Sequence, residues 1–335
     1  GTGKTSIALD ILLKLHTANC TVAPSPEAYK DHKDTIFVCK SKKLCVSVSK
    51  QFDELVRVWG CDGQANTVAI AEAFVHGHKL EHPLFISSSE LYTLLDRTLA
   101  RAGSRSFFAD SSEASAFVRE LSGTGDLLEA LDREDLPVAQ ERDAAPTTRR
   151  GAARSDQQRR LLTYERFCRL AGKSRSFTRE LQAVGKSAVY REIFSYIKGS
   201  AEAMETDFGF LNENQYLARP HKASSLPEAL RPAVYRFFAE YKSKLSELRL
   251  YDLPDLVFHL FRARRNGKLP CTPIQRVVVD EVQDLLLAEV KLLIELAGDK
   301  NGLFLCGDTA QTISRGVGFR FADVKALFHG LDPSA

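Results

Sequence analysis

The chain has no long uninterrupted apolar run. Even Leu285 to Ala297 (LLLAEVKLLIELA) is broken by Glu289, Lys291 and Glu295. A membrane-spanning helix needs roughly 18 or more consecutive apolar residues, so no membrane partner is expected. Net charge is nearly absent too: 46 Lys and Arg stand against 43 Asp and Glu, leaving +3, and the total does not point to a polyanionic partner. There is no CxxC pair. The seven cysteines are scattered, with Cys39, Cys271 and Cys306 inside apolar runs, which argues against a disulfide scaffold and a zinc site. Reduced thiols and an intracellular setting, nuclear or cytoplasmic, are expected. The chain shows no initiator Met, signal peptide, leading strand before Gly1 or internal repeat of fixed period. It is therefore expected to be cut from something longer.

What is present is an ordinary globular composition, 44% hydrophobic and 27% charged, in 335 residues. That length suggests two domains, or one large domain with an insertion. TIFVC (35 to 39), PLFIS (83 to 87), RVVVD (276 to 280) and GLFLC (302 to 306) are short β-branched or apolar runs bounded by polar residues and Gly. They read as buried parallel strands. TSIALDILLKLH (5 to 16) repeats apolar positions at helical spacing, and strands alternating with helices predict an α/β doubly wound sheet. The middle of the chain differs. Residues 101 to 158 are rich in Ser, Gly, Asp, Arg and Ala, with ten acidic against three basic residues from Asp110 to Asp143. From Arg149 to Arg179 the balance reverses to ten basic against two acidic residues. That basic tract could track phosphates, but a solvated segment balancing the acidic one is the plainer reading. Helices are expected at 161 to 171 and 187 to 199. Leu230, Val234, Phe237, Phe238, Tyr241, Leu245 and Leu248 should share one face of a long helix.

Three segments could carry chemistry. Gly1-Thr2-Gly3-Lys4-Thr5 matches the second half of the phosphate-binding pattern G-x-x-x-x-G-K-[ST]. Glycine lets successive N-H groups turn toward phosphate oxygens, and the following helix presents its positive end. Lys4 can reach the β and γ phosphates, and the Thr5 hydroxyl can ligate Mg²⁺. A plain glycine turn before a helix is the alternative. VVVDEVQD (277 to 284) is a strand ending in adjacent carboxylates, suited to Mg²⁺ at Asp280 and to a general base at Glu281. Helix capping by the same two acids is its alternative. GLFLCGDTAQTI (302 to 313) is a further strand with Gln311 just beyond it, where a polar side chain could sense a γ-phosphate. His76, His78 and His82 lack a Cys or carboxylate that would complete a metal set.

DEVQD followed by GDTAQTI, with GTGKT far upstream, resembles the UvrD/Rep-like branch of superfamily 1 helicases. Within it, GDTAQTISRGVGFRF is most similar to the helicase-like region of large tetratricopeptide and ankyrin repeat-containing proteins. FVCKSKKLC (37 to 45), PLFISSSELYTLL (83 to 95) and YDLPDLVFHL (251 to 260) are looser matches. The resemblance implies a RecA-like P-loop NTPase domain with a parallel sheet, interrupted by a mostly helical insertion. Residues 1–98 and 222–335 would form the ATP-binding domain and 99–221 the insertion.

The resemblance further implies ATP and Mg²⁺ as cofactors. Gly1, Thr2, Gly3, Lys4, Thr5 and Ser6 would bind nucleotide, Thr5 and Asp280 the metal, with Glu281 as base and Gln311 as sensor. Ser41, Lys42, Ser87, Ser88, Phe319 and Arg320 would meet single-stranded nucleic acid, DNA or RNA, aromatic stacking being tolerant of base identity. Ser314 and the residues Arg315 to Gly318 depart from the family pattern, where many relatives have a second aromatic. In such motors a second RecA-like domain supplies arginine fingers, worth on the order of 10³ to 10⁵ in rate. The chain alone is thus expected to hydrolyse ATP weakly or not at all. The competing expectation is a non-unwinding, nucleotide-gated interaction module of a large scaffold protein.

Overall fold

In the computed structural model the four apolar runs become four strands: β1 (Thr35–Cys39), β2 (Leu84–Ser87), β5 (Arg276–Val279) and β6 (Leu303–Leu305). The structure describes residues 3–21 (main chain only from 17), 34–58, 74, 78, 80, 82–108, 160–220, 226–269, 274–308 and 316–329. The strands form one sheet in the order β2-β1-β5-β6, every pair parallel. Ile36 lies between Leu84 and Val277, and Val277 in turn pairs with Leu303. A parallel sheet needs both faces covered, which is why these runs are continuously apolar rather than alternating. β1 and β2 are buried along their whole length, whereas β6, on the sheet's edge, is half-buried.

Successive side chains in a strand point to opposite faces. Phe37, Cys39, Phe85 and Val278 therefore meet α1 (Lys4–Thr21) and α2 (Lys42–Val58), through Ala8, Leu12, Val48 and Phe52. Ile36, Val38, Ile86, Val277 and Val279 face the other way. They join a larger core with α3 (Ser88–Arg101), α9 (Leu253–Arg265) and α10 (Leu287–Leu296).

That second core continues without a break into a helical lobe. The lobe holds a two-stranded ribbon, β3 (Arg160–Leu161) beside β4 (Leu250–Tyr251), with α4 (Tyr164–Lys173), α5 (Arg179–Val184), α6 (Lys186–Arg191), α7 (Glu213–Leu217) and α8 (Arg231–Glu247). Phe167 sits at its centre, edge-on to Tyr190, Phe237 and Tyr241. The carboxyl-terminal helix is α11 (Phe321–His329), packed on α10.

Two helical expectations need correction. The single helix expected over 187–199 is α6 followed by a π-helix, Glu192–Lys198, whose seven residues are all buried. The wider turn admits Glu192 to the interior, where its carboxylate takes the Tyr216 hydroxyl at 2.8 Å. Of the seven residues expected on one face of α8, five are buried within it: Val234, Phe237, Phe238, Tyr241 and Leu245. Leu230 lies in a preceding 3₁₀ turn, and Leu248 is the carboxyl-terminal cap, 44% exposed. Both lie beyond the helix ends, where the 3.6-residue repeat no longer sets direction.

Candidate functional site

Three chain segments meet at the carboxyl ends of the central strands. Gly3, at φ +74°, takes a left-handed conformation that strains other residues, and the chain turns there into α1. Lys4, the first residue of that helix, places Nζ 3.0 Å from the Asp308 carboxylate just beyond β6. One residue on, the Thr5 hydroxyl donates to Asp280 Oδ2 at 2.7 Å, joining groups 275 positions apart. Ser6 is exposed on the same helical turn.

Asp280 follows β5 and is fully buried. A buried carboxylate must be met by donors. Thr5 serves Oδ2, while the Glu281 amide at 3.0 Å and the Cys306 thiol at 2.9 Å serve Oδ1. Burial, and then the bond to Asp280, push the Cys306 thiol well above its ordinary value. It therefore keeps its proton at neutral pH and remains a donor. Glu281 adopts φ +54°, ψ +44°, a left-handed conformation costing a non-glycine residue on the order of 1 kcal/mol. Gln283 braces it: its amide N-H donates to the Glu281 carboxylate, and its Oε1 accepts the Asp308 amide at 2.9 Å. A Cβ on Gly307 would collide with Gln283 Oε1 and lie 2.8 Å from Val282 Cγ1, so only glycine fits there.

The result is an ammonium, a hydroxyl, a buried carboxylate and a partly exposed one, arranged at a helix amino end. Such an end attracts anions. One hydroxyl and one carboxylate, both hard oxygen donors, suit a cation such as Mg²⁺ that keeps several waters and shares phosphate oxygens. Among the described residues no group of three or more His, Cys, Asp or Glu could form an all-protein cage. Gly1, Thr2, Gln311 and His76 lie outside the described residues.

The other expected positions are spread over neighbouring loops. Ser41 is exposed at the start of α2, where its hydroxyl accepts the Leu44 amide at 3.3 Å. Lys42, also exposed, pairs with Glu90 at 2.8 Å. Ser87 and Ser88 do not face solvent as a nucleic-acid track would require: both are buried. Ser87 caps α3 in a reciprocal box, donating to Glu90 Oε2 at 2.6 Å and accepting the Glu90 amide at 3.4 Å. Such a cap contributes about 1 kcal/mol. Phe319 is half-buried and edge-on to Phe321, and Arg320 forks onto Asp323 at 2.9 and 2.6 Å. Arg262, Arg264 and Arg265 belong to the last turn of α9. There Arg265 pairs with Glu205.

Gln283, Cys306 and the buried Glu289 were not singled out by spacing. Glu289 receives Lys40 at 3.0 Å and the Tyr92 hydroxyl at 2.8 Å, which ties the end of β1 to α3 and α10. A glutamate inside the apolar run 285 to 297 was the available signal, since a buried acid requires partners.

Residues 127–330 match the family described as the UvrD/REP helicase N-terminal domain, and the chain belongs to that family, a class of helicase-type domains. It is 31% identical over 324 residues to the human protein "TPR and ankyrin repeat-containing protein 1", covering 92% of this chain and 10% of that one. It is also 30% identical over 129 residues to one of the subunits of an ATP-dependent helicase/nuclease from Oenococcus oeni, covering 38% of this chain and 10% of that one. The chain thus spans about a tenth of the length of these curated relatives. Among the described residues no helix is long and apolar enough to cross a membrane.

Proposed function

We propose that the chain is the nucleotide-binding half of a superfamily 1 motor, which binds ATP with Mg²⁺ and couples its hydrolysis to single-stranded DNA or RNA. The observation that carries this reading is the 2.7 Å bond between Thr5 and Asp280, with Lys4 directly beside Thr5. In it, the backbone of Gly1 to Ser6 wraps the phosphates and Lys4 exchanges Asp308 for a β or γ oxygen. Thr5 and Asp280 hold the metal, whose charge offsets that of the phosphates. Glu281 takes the proton of the attacking water, and Gln311 senses the γ-phosphate. Ser41, Lys42, Phe319 and Arg320 line the nucleic-acid path, and Ser87 fixes the amino end of α3 through Glu90, the partner of Lys42. We assign residues 1–98 and 222–335 to the RecA-like domain, of which α8 and β4 pack with the helical lobe, and 99–221 to the insertion, in an intracellular protein whose parent chain brings a second RecA-like domain.

The test is phosphate release by the full-length protein with and without single-stranded nucleic acid. Stimulated release in the wild type that falls to background in Lys4→Ala supports a motor. The likeness to a TPR and ankyrin repeat-containing protein over 92% of the chain favours a second reading, a nucleotide-gated interaction module that does not unwind. Nucleotide binding without turnover in either protein supports that reading.

A further inference from the structure

We propose that Ser195 is a positioning residue for the nucleotide site, fixing from the π-helix the segment that follows the sensing strand. The proposal rests on the reading of the site given above. Ser195 lies near the middle of Glu192–Lys198 and is buried. Its hydroxyl donates to the Gly316 carbonyl and accepts the Gly318 amide at 2.8 Å, so one side chain satisfies two backbone groups of the Gly316-Val317-Gly318 segment.

The fit permits no side chain on either glycine. Gly316 has φ +85°, and a Cβ there would lie 2.6 Å from the Tyr190 ring. A Cβ on Gly318 would strike the Tyr196 hydroxyl. Tyr190 lies in α6 and Tyr196 in the π-helix, so the segment is seated in a socket built where the two helices join.

The socket is anchored at both ends. Glu192 takes the Tyr216 hydroxyl, and Lys198 is held at 2.6 Å by both Asp252 and Asp255. Just past the π-helix, the Gly199 carbonyl accepts the Ala288 amide at 2.9 Å, and a Cβ on Gly199 would run into the Phe194 carbonyl and press on Leu286. Leu286 and Ala288 continue the chain that leaves Asp280-Glu281, while Gly316 continues the chain that leaves Asp308. The π-helix and Gly199, which follows it directly, therefore touch both segments that exit the nucleotide site. A rigid element gripping two exits transmits a shift in one to the other and to the helical lobe.

The test is hydrogen-deuterium exchange of the 192–199 amides in the full-length protein, with and without Mg²⁺ and the non-hydrolysable analogue adenylyl-imidodiphosphate. Ser195→Ala and Gly316→Ala loosen the same contact from its two sides; both should melt below the wild type, and a single cooperative transition above the assay temperature establishes that each is folded. In the wild type the analogue should slow exchange by about fivefold, the low end of ordinary site-to-site coupling. In Ser195→Ala that response should vanish while analogue affinity stays within about twofold; Gly316→Ala and the double variant should match it. A response in Ser195→Ala equal to the wild type overturns the proposal, as does a wild type that binds the analogue with no change at 192–199. If the wild type binds the analogue no better than Lys4→Ala, the site reading itself fails and the coupling falls with it, a failure visible in the binding arm alone.

Discussion

At the scale of single residues, the two acids that end β5 have different surroundings, which assigns them different work. Asp280 is fully buried and its oxygens accept bonds from Thr5, Cys306 and the Glu281 amide; Glu281 is half-buried and held in a left-handed turn by Gln283. Glu281→Gln keeps the shape and removes the base. It should leave nucleotide affinity intact and lower turnover by about 10² to 10⁴, the ordinary worth of a general base, in single-turnover phosphate release by the full-length protein. Equal loss of binding and turnover would instead make Glu281 a ligand. A second residue-scale test lies in the helical lobe. Lys198 is nearly inaccessible and bonds Asp252, fully buried, and Asp255, at the rim. Burial, then the neighbouring Asp255 charge, push Asp252 up to about 6. Lys198→Met strands that carboxylate without its cation and should cost about 3–5 kcal/mol in denaturant unfolding at neutral pH. A loss under 1 kcal/mol would mean that the cluster relaxes to admit water.

At the scale of elements, α8 separates what periodicity decides from what tertiary context decides. Phe237 and Leu248 fit the same apolar repeat, yet Phe237 is edge-on to Phe167 and Phe177 while Leu248 caps the helix at 44% exposure. Phe237→Ala should cost about 3–5 kcal/mol and Leu248→Ala under about 0.5 kcal/mol by chemical denaturation. Comparable losses would restore the longer face. The four sheet strands were legible because a parallel strand buried on both faces must be continuously apolar, and nothing else in the chain reads that way over so few residues. The π-helix was not legible. Its extra residue per turn leaves the apolar spacing of SAVYREIFSYIKG close to that of an α-helix, and the partner that Glu192 meets inside, Tyr216, lies 24 positions away. The same limit applies at the site. GTGKT and DEVQD announce Lys4, Thr5, Asp280 and Glu281 by type and order. The roles of Gln283 and Cys306 exist only once β5 and β6 lie side by side. The burial of Ser87 and Ser88 was not legible because a serine at a strand end reads alike whether it touches a ligand or caps the next helix; Glu90, three residues beyond Ser87, was the sign of a cap.

At the scale of the whole molecule, one apolar core runs from the sheet face through α9 and α10 to Phe167. Ion pairs cross the same ground. Glu205 meets Lys291 at 2.5 Å and Arg265 at 2.6 Å, Glu202 meets Arg219 at 3.2 Å, and Glu90 meets Lys42 at 2.8 Å. For Glu90, Glu202 and Glu205 burial works to raise the carboxyl, but these cations and hydrogen bonds outweigh it and hold each below its ordinary value near 4.5. An acid whose pKa is depressed by folding stabilises the native state above its unfolded value, and that contribution is lost as pH falls through the folded one. Asp252 acts in the opposite sense. Its raised pKa, about 6, makes the folded state gain stability as pH drops from there toward 3.8, where its unfolded form titrates. The melting temperature should therefore hold or rise slightly between pH 6 and 4.5 and decline below 4.5, where the depressed carboxyls Glu90, Glu202 and Glu205, with Glu240 and Asp255, outnumber the raised Asp252 and Asp53. Because the sheet and the helical lobe share a core, the loss should be a single cooperative transition, with the ring signals of the lobe and the far-ultraviolet signal falling together. Two separated transitions on acid titration would show that the lobe folds on its own and that the shared core contributes little to holding it against the sheet.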